Sequence, residues 1–306
     1  MNSFFKFVAL STLIALACNL MQVMTPQVLS RPPAAQDPNA PFVAVTDTAP
    51  LGNAESPSRV PEATFTASPV PTPTWVVRGP DSVEVPILLY HRIDNSPINS
   101  RYYVAPDKFK EQMEWLFTRG YATIHFELLV DAILHGAPLP PRPIVITFDD
   151  GNTDNYLTAF PIMQQYGFTG VMYIVGKYIG APGYMDKAEI LEMVDAGWEV
   201  GSHGMSHLDL LLMDEGSQEY EIRESRRYLK AELGVPILSF AYPFGSMDPD
   251  LVVAVSLAGY TAAVGTISSP STQDADHLYH MRRKEIIGSL DIGSFSSYLP
   301  WRDEVN

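Results

Sequence analysis

Two short segments of this chain carry side chains suited to binding a metal ion and activating water. Asp149 and Asp150 are adjacent within Thr-Phe-Asp-Asp-Gly at residues 147–151, and His203 and His207 lie four residues apart. Two imidazoles and one carboxylate form a three-ligand site for a divalent cation with open coordination positions, as in catalytic rather than structural sites. The second carboxylate is then free to act as a general base on water.

Each segment also has a simpler interpretation when it is taken alone. An Asp-Asp-Gly tripeptide is more often a solvated turn than a site, and a histidine pair also occurs in ordinary capped loops. The four-residue spacing predicts that His203 and His207 share one face of a helical turn. Both segments follow predicted strands, and this shared position favours the catalytic interpretation.

The elements that position these segments alternate regularly along the chain. Short apolar runs, typical of buried strands, alternate with amphipathic stretches typical of helices. This alternation indicates parallel strands joined by crossover helices, and the sequence has no dinucleotide-binding fingerprint. We therefore predict an α/β fold, an irregular (β/α) barrel, over residues 81–306. The predicted strands are 85–90, 143–148, 169–175, 198–202, 237–242 and 260–264, and the predicted helices are 106–119, 153–166, 186–196, 214–233 and 248–259.

The N-terminal segment has the features of an export signal. Lys6 precedes a short apolar run at residues 7–17, and Ala-Leu-Ala stands directly before Cys18. We predict a signal peptide at residues 1–17 and an extracellular or cell-surface location, with Cys18 as the lipid-attachment residue of a bacterial lipoprotein. Cleavage to a soluble secreted protein and an uncleaved anchor remain alternatives, so contact with a membrane is expected only through this N-terminus.

Residues 18–80 are predicted to form a disordered linker. The segment is rich in Pro, Ala, Thr and Ser and poor in large apolar residues, so it cannot bury enough surface to offset chain entropy. Cys18 is the only cysteine, so no disulfide holds the domain. The net charge of -15 argues against nucleic acid as a partner, because such a surface repels phosphate backbones.

The motifs together resemble a known family. Thr-Phe-Asp-Asp-Gly followed by His-x-x-x-His is similar to the NodB-homology polysaccharide deacetylases, carbohydrate esterase family four. The resemblance covers residues 85–283 and includes Leu-Leu-Tyr-His-Arg-Ile at 88–93, Gly-Tyr-Ala-Thr-Ile at 120–124, Gly-Trp-Glu-Val-Gly-Ser-His at 197–203 and Phe-Ala-Tyr-Pro-Phe-Gly at 240–245. It implies that Asp150, His203 and His207 bind the metal and that Asp149 is the general base. It also implies that the backbone N–H of Phe244 lies in the oxyanion hole.

This sequence departs from the family pattern at several positions. Gly204 stands where members usually have Ser or Thr, whose hydroxyl steadies the loop, and Ser206 is a candidate substitute. Ala241 stands where many members have an Arg that orients the base. Arg283 is a candidate for that role, and the alternative is a solvated basic strand end. Many members carry the general acid in a Leu-x-His motif near the C-terminus, and here Leu-Tyr-His at 89–91 resembles that motif moved to the front, as in the subfamily of poly-N-acetylglucosamine enzymes. We therefore expect His91 to be the acid, the alternative being a core histidine bonded to the backbone.

The resemblance implies hydrolysis of N-acetyl groups on an amino-sugar polymer such as peptidoglycan, a chitin-like glycan or poly-N-acetylglucosamine. Zinc is the expected ion, while cobalt, nickel or manganese would also suit His and carboxylate ligands. An O-acetyl polysaccharide esterase and a non-catalytic glycan-binding lipoprotein are the alternatives. Trp198, Tyr242 and Trp301 are candidate sugar-stacking residues, although core or rim packing is the commoner role of such side chains.

Overall fold

The computed structural model describes residues 74–98, 100–266 and 270–304. The predicted signal segment at 1–17, the predicted lipidation of Cys18 and the predicted linker up to residue 73 lie outside these residues. Within the described part of the chain, none of the helices combines the length and the apolar character that crossing a bilayer requires.

The strands are short, and they fall where the apolar runs of the sequence predict them, with additional strands before, between and after. They are β1 (Val76–Arg78), β2 (Ser82–Glu84), β3 (Ile87–Tyr90), β4 (Ala122–Thr123), β5 (Ala137–Leu139), β6 (Pro143–Asp150), β7 (Val171–Ile174), β8 (Glu199–Ser202), β9 (Ser239–Ala241), β10 (Ala262–Val264), β11 (Thr272–Asp274) and β12 (Lys284–Glu285).

The central element is a curled parallel sheet with the strand order β10-β9-β8-β7-β6-β3-β12, and β4 pairs with the start of β6. Residues 281–285 run between the two edges of this order, because Met281 forms a parallel bridge with Val264 while β12 pairs with β3. The predicted α/β fold of the irregular barrel type is confirmed. The carboxyl ends of β3, β6, β8 and β9 therefore meet at one face.

The central strand β6 shows why the sequence folds in this way. Its residues are buried along almost the whole length, as expected for a parallel strand covered on both sides. Ile146 and Phe148 pack in one apolar cluster, whereas Val145 packs in a second cluster on the other side of the sheet, which also holds the buried residues of the helix Phe126–His135. Side chains alternate along a strand, so Thr147 and Asp149 share the side of Val145 and point into the barrel.

The helices cover the outside of the sheet. The helix after β7 begins with a capping box, in which Asp186 and Glu189 exchange side-chain and backbone hydrogen bonds. The predicted helices 153–166 and 214–233 are each interrupted by a π-helical turn, at Asn155–Ala159 and Tyr220–Glu224. The α-helices are α1 (Pro106–Thr118), α2 (Phe126–His135), α3 (Phe160–Gln165), α4 (Lys187–Asp195), α5 (Glu215–Glu219), α6 (Ser225–Leu233), α7 (Pro249–Leu257) and α8 (Ile292–Ser297).

The folded region begins before the predicted domain boundary at residue 81. Strand β1 pairs in antiparallel fashion with β5 and so belongs to the domain, although the composition assigned residues 76–78 to the linker. The run Trp-Val-Val at 75–77 follows the last Pro-Thr repeat and supplies the apolar residues that pair here. Strand β5 follows helix α2. Neither of these two elements was predicted from the sequence.

Candidate active site

The buried carboxylate at the end of β6 belongs to Asp149, and it forms a two-pronged ion pair with Arg283. The Arg283 Nη1 and Nη2 atoms donate to the two Asp149 oxygens at 2.7 and 2.8 Å. Both side chains are buried. The structure therefore places Arg283 against the predicted base, rather than in solvent at a strand end.

Arg283 is itself fixed by the interior of the barrel. Its Nε donates to the Gly265 carbonyl at 2.8 Å, and its Nη1 also donates to Thr147 Oγ1 at 3.1 Å. The guanidinium carbon lies 5.4 Å from the centre of the Tyr173 ring. These contacts satisfy a buried cation and hold its planar fork towards Asp149.

This pairing keeps Asp149 ionised. Burial is the largest single influence and raises the pKa of the Asp149 carboxyl. The charge and hydrogen bonds of Arg283, together with the nearby His203 and His91, outweigh burial, and the pKa is lowered to about 2. A carboxylate with such a pKa is a proton acceptor over the whole neutral range. The barrel interior therefore holds the Asp149 carboxylate, which is ionised at neutral pH and faces a cleft.

Asp150, His203 and His207 converge beside this base. Asp150 Oδ1 lies 3.3 Å from His207 Nε2 and 3.7 Å from His203 Nε2. One ligand atom from each residue lies within 4.8 Å of the other two. Asp150 has a φ of 75°, a left-handed conformation that turns its side chain away from the direction that strand alternation would give it.

The chemistry of these three donors fits a divalent cation. Asp150 Oδ1 is buried and has no hydrogen-bond partner among the described residues, as expected of an oxygen that ligates a cation. His203 Nδ1 lies 2.8 Å from the Ala241 carbonyl, which leaves Nε2 as the unprotonated nitrogen facing Asp150. Burial lowers the pKa of His203, which favours the neutral imidazole that binds metals.

The two histidines lie on a loop and not on a helical turn, so this part of the sequence prediction was wrong. Gly204 and His207 have φ values of 81° and 55°, and left-handed residues interrupt a helix. The ring centroids of His203 and His207 are nevertheless 4.9 Å apart. Ser206, the candidate substitute for the missing hydroxyl, has its Oγ buried with no hydrogen-bond partner among the described residues.

His91 lies directly after β3 and lines the same cleft as Asp149, His203 and His207. Its carbonyl accepts hydrogen bonds from Asn155 Nδ2 at 2.9 Å and Asn152 Nδ2 at 3.3 Å. Its ring lies 4.8 Å from the Tyr102 ring, and Nδ1 has no partner among the described residues. The ring is therefore not bonded to the backbone through Nδ1, and it faces the cleft.

Four of the residues described so far line one cleft of about 310 Å³: His91, Asp149, His203 and His207. Phe244 forms part of its rim, with 62% of its surface exposed and its ring 4.7 Å from the His207 ring. Phe244 has a φ of 60° in a turn after β9. The role of its backbone N–H in an oxyanion hole stays a prediction. The other lining residues are Arg101, Tyr102, Tyr242, Gly245, Thr266 and Glu285.

The candidate sugar-stacking residues are mostly packing residues. Trp198 is buried, with its ring 5.4 Å from the Phe148 ring, at the start of β8 and away from the cleft. Trp301 packs on Tyr121 at 5.8 Å. Tyr242 lines the cleft, but its side chain is buried and donates to the Tyr279 carbonyl. The more exposed cleft aromatics, Tyr102 and Phe244, offer the larger surfaces.

Sequence reasoning missed the residues that hold His91 in place. Asp154 accepts from the backbone N–H of Ile93 at 2.7 Å and from Arg92 Nε at 2.8 Å, while Asn155 holds the His91 carbonyl. Both lie just after Asp150 in the sequence. The available signal was the run of polar residues at 152–155 opening a buried helix, because side chains there must find polar partners.

A comparison with protein families agrees with this geometry. The family model described as polysaccharide deacetylase matches residues 136–263, the stretch that contains the Asp pair and both histidines. Over these residues the chain is similar to the polysaccharide deacetylases. The resemblance noted from the motifs is thereby confirmed.

Individual relatives of this chain are distant in sequence. YxkH of Bacillus subtilis (strain 168), named among the polysaccharide deacetylases, is 25% identical over 228 residues, which cover 74% of this chain and 80% of that protein. A poly-β-1,6-N-acetyl-D-glucosamine N-deacetylase of Staphylococcus epidermidis is 24% identical over 220 residues, covering 62% and 75%. The crystal structure of a polysaccharide deacetylase from Bacillus cereus aligns with a TM-score of 0.65 at 29% identity, covering 72% of this chain and 70% of that one.

Proposed function

We propose that this polysaccharide deacetylase is a metal-dependent hydrolase that removes N-acetyl groups from an extracellular amino-sugar polymer and releases acetate. The observation that carries the proposal is the meeting of two sets of residues in one cleft. Asp150, His203 and His207 offer three ligand atoms to one cation. Asp149, paired with Arg283, stays charged beside them.

Asp150, His203 and His207 would hold the ion, with zinc as the proposed species and cobalt, nickel or manganese as possible substitutes. When bound, a divalent cation there would polarise the acetyl carbonyl and acidify a water molecule. Asp149 is not needed as a ligand in this proposal, because its oxygens are already engaged by Arg283.

Asp149 acts as the general base. It accepts a proton from the water whose oxygen adds to the acetyl carbonyl carbon. Arg283 keeps the carboxylate ionised and fixes its orientation, so that the pKa of Asp149 does not rise as burial alone would require. Arg283 itself has no contact with substrate in this scheme.

His91 acts as the general acid on the other side of the cleft. It gives a proton to the sugar nitrogen as the carbon–nitrogen bond breaks, so that acetate and a free amine are released. The backbone N–H of Phe244 is the proposed donor to the carbonyl oxygen as negative charge develops, and such a donor contributes roughly 3 kcal/mol to catalysis.

The proposed substrate class is an N-acetylglucosamine polymer. Support comes from relatives named as poly-β-1,6-N-acetyl-D-glucosamine N-deacetylases in Staphylococcus epidermidis and Escherichia coli. The signal-peptide pattern predicted at residues 1–17 supports an extracellular or cell-surface location, with lipid on Cys18 as the proposed anchor. Peptidoglycan and chitin-like glycans remain within the class.

The test is acetate release from poly-N-acetylglucosamine, chitin oligomers and peptidoglycan fragments, each with and without a chelator, and from an O-acetylated glycan as the matched ester. The proposal expects chelator-sensitive release from at least one N-acetylated polymer. Release from the O-acetylated glycan alone would make the protein an esterase. Glycan binding without acetate release after zinc loading would make it a binding protein.

A further inference from the structure

The loop that joins the two candidate histidine ligands is held by a carboxylate from a distant helix. Glu221 Oε2 accepts hydrogen bonds from the backbone N–H groups of Met205 and Ser206, each at 2.8 Å. Glu221 is 1% exposed. Both donors lie between His203 and His207, so one oxygen atom fixes the middle of the ligand loop.

The opposite side of the same loop is held by backbone groups. The Gly204 and Met205 carbonyls accept from the N–H groups of Gly176 and Lys177 at 3.0 and 2.9 Å. The loop carbonyls thus have partners from the chain after β7. Glu221 supplies the acceptor for the N–H groups of Met205 and Ser206. A buried N–H group without an acceptor costs folding free energy.

Gly204 is adapted to this carboxylate. A Cβ atom at position 204 would lie 3.0 Å from Glu221 Oε2, and the φ of 81° disfavours any side chain there. The Ser206 hydroxyl has no hydrogen-bond partner among the described residues. The N–H groups of Met205 and Ser206 therefore donate to the Glu221 carboxylate and not to a hydroxyl group of the loop.

The local geometry of the helix directs the Glu221 side chain towards the loop. Glu221 lies in the π-helical turn Tyr220–Glu224 between α5 and α6, and such turns interrupt the regular i to i+4 pattern and redirect side chains. One turn later, Ser225 Oγ lies 2.8 Å from Ser202 Oγ at the end of β8. The helix is therefore attached to both the strand end and the loop.

We propose that Glu221 is a positioning residue for the metal site: its carboxylate fixes the 204–206 backbone so that His203 and His207 both present Nε2 to Asp150. This inference rests on the proposed metal dependence. Outer groups that orient ligands typically contribute a 10–100-fold effect on metal affinity. Glu221 touches neither the ligand nitrogens nor the cleft in this assignment.

The test compares Glu221→Gln, Glu221→Ala and the control Glu224→Ala in the full chain. Glu224 lies in the same π-helical turn, and its side chain forms an ion pair with the exposed Arg227. Zinc affinity of metal-free protein is measured by competition with a chromophoric chelator. We expect Glu221→Gln to stay within about 3-fold of wild type, because one amide oxygen can accept both N–H groups. We expect Glu221→Ala to lose about 10–100-fold and Glu224→Ala to lose nothing.

A second readout does not depend on the metal. Amide hydrogen exchange in metal-free protein should become faster at Met205 and Ser206 in Glu221→Ala, and not in Glu221→Gln. If Glu221→Ala does not fold, Glu221→Asp replaces it, since the shortened side chain draws the carboxylate away from both donors.

The outcomes separate the two proposals. Unchanged exchange at Met205 and Ser206, or zinc affinity within 2-fold of wild type in the Ala or Asp variant, overturns the role of Glu221. An equal loss in Glu224→Ala also overturns it, because the effect would then belong to the helix in general. Wild-type protein that binds no zinc, with the exchange effect present, removes the metal proposal and the ligand-positioning role but keeps Glu221 as the anchor of the loop.

Discussion

Replacing Arg283 with Met would leave the Asp149 carboxylate buried without its cation. Met has a similar length and no charge, so the change removes the ion pair with little change in volume. Breaking a buried pair by removing one partner costs about 3–5 kcal/mol, since the remaining charge has lost both water and its counterion. We expect Arg283→Met to lower the free energy of unfolding at pH 7 by about that amount.

The pKa of Asp149 gives an independent magnitude. It is about 2 in the folded protein against an ordinary 3.8. This difference corresponds to roughly 2 kcal/mol of stability, of the same order as the loss expected on breaking the pair. Because the folded pKa is the lower one, this stability is present above about pH 4 and is lost as the pH falls towards 2. In Arg283→Met, burial raises the pKa of Asp149 instead, so protonation at lower pH should recover part of the lost stability.

The assay is urea unfolding of wild type, Arg283→Met, Asp149→Asn and the double variant between pH 4 and pH 7. The matched control is Arg223→Met, which removes an exposed pair with Glu219 and should change stability by less than about 1 kcal/mol. The double variant should be more stable than the sum of the single losses predicts. Additive losses, or a loss in Arg283→Met no larger than in the control, would refute the buried pair as described.

Three further predictions concern the cleft. His91→Asn should lower kcat for acetate release by about 10²–10⁴-fold with zinc affinity unchanged, and a kcat within 2-fold of wild type would remove His91 as the acid. Asn155→Ala takes away the 2.9 Å bond to the His91 carbonyl and should cost about 1–3 kcal/mol in urea unfolding together with a lower kcat, whereas unchanged values for both would show that the bond is dispensable. Gly204→Ala adds a Cβ atom at a φ of 81° and should weaken zinc binding, as measured by chelator competition. Gly167→Ala is the control for backbone strain alone, because Gly167 has a φ of 69° and a Cβ atom there would have no neighbour within 4 Å.

The barrel could be predicted from the sequence because its main strands are short apolar runs separated by helical patterns. The run at 143–148 is apolar apart from Thr147, and such a run is typical of a parallel strand covered on both sides. The polar residues that follow such strands must then meet at one face. For this reason the strand pattern was enough to predict that these side chains lie at one face of the barrel: Asp149, Asp150, His203 and His207.

Other features depend on tertiary contacts that no local pattern records. The loop from 203 to 207 is not helical, because Glu221 and the chain at 176–177 bind its backbone from two sides. Arg283 lies 134 residues from Asp149 in the sequence, so its role was one of two open interpretations until the structure placed the two together. Helix α2 was missed, although its apolar residues at 126, 129, 130 and 133 have helical spacing.

The central claim is that three side chains bind one cation while a neighbouring carboxylate activates water. Zinc content and acetate release, measured together on wild type, Asp149→Asn and Asp150→Asn, test it most directly. The account predicts that Asp149→Asn keeps its zinc and loses at least about 10²-fold in turnover, whereas Asp150→Asn loses zinc and turnover together. Wild-type turnover in Asp149→Asn, or full zinc content with normal turnover in Asp150→Asn, would contradict it.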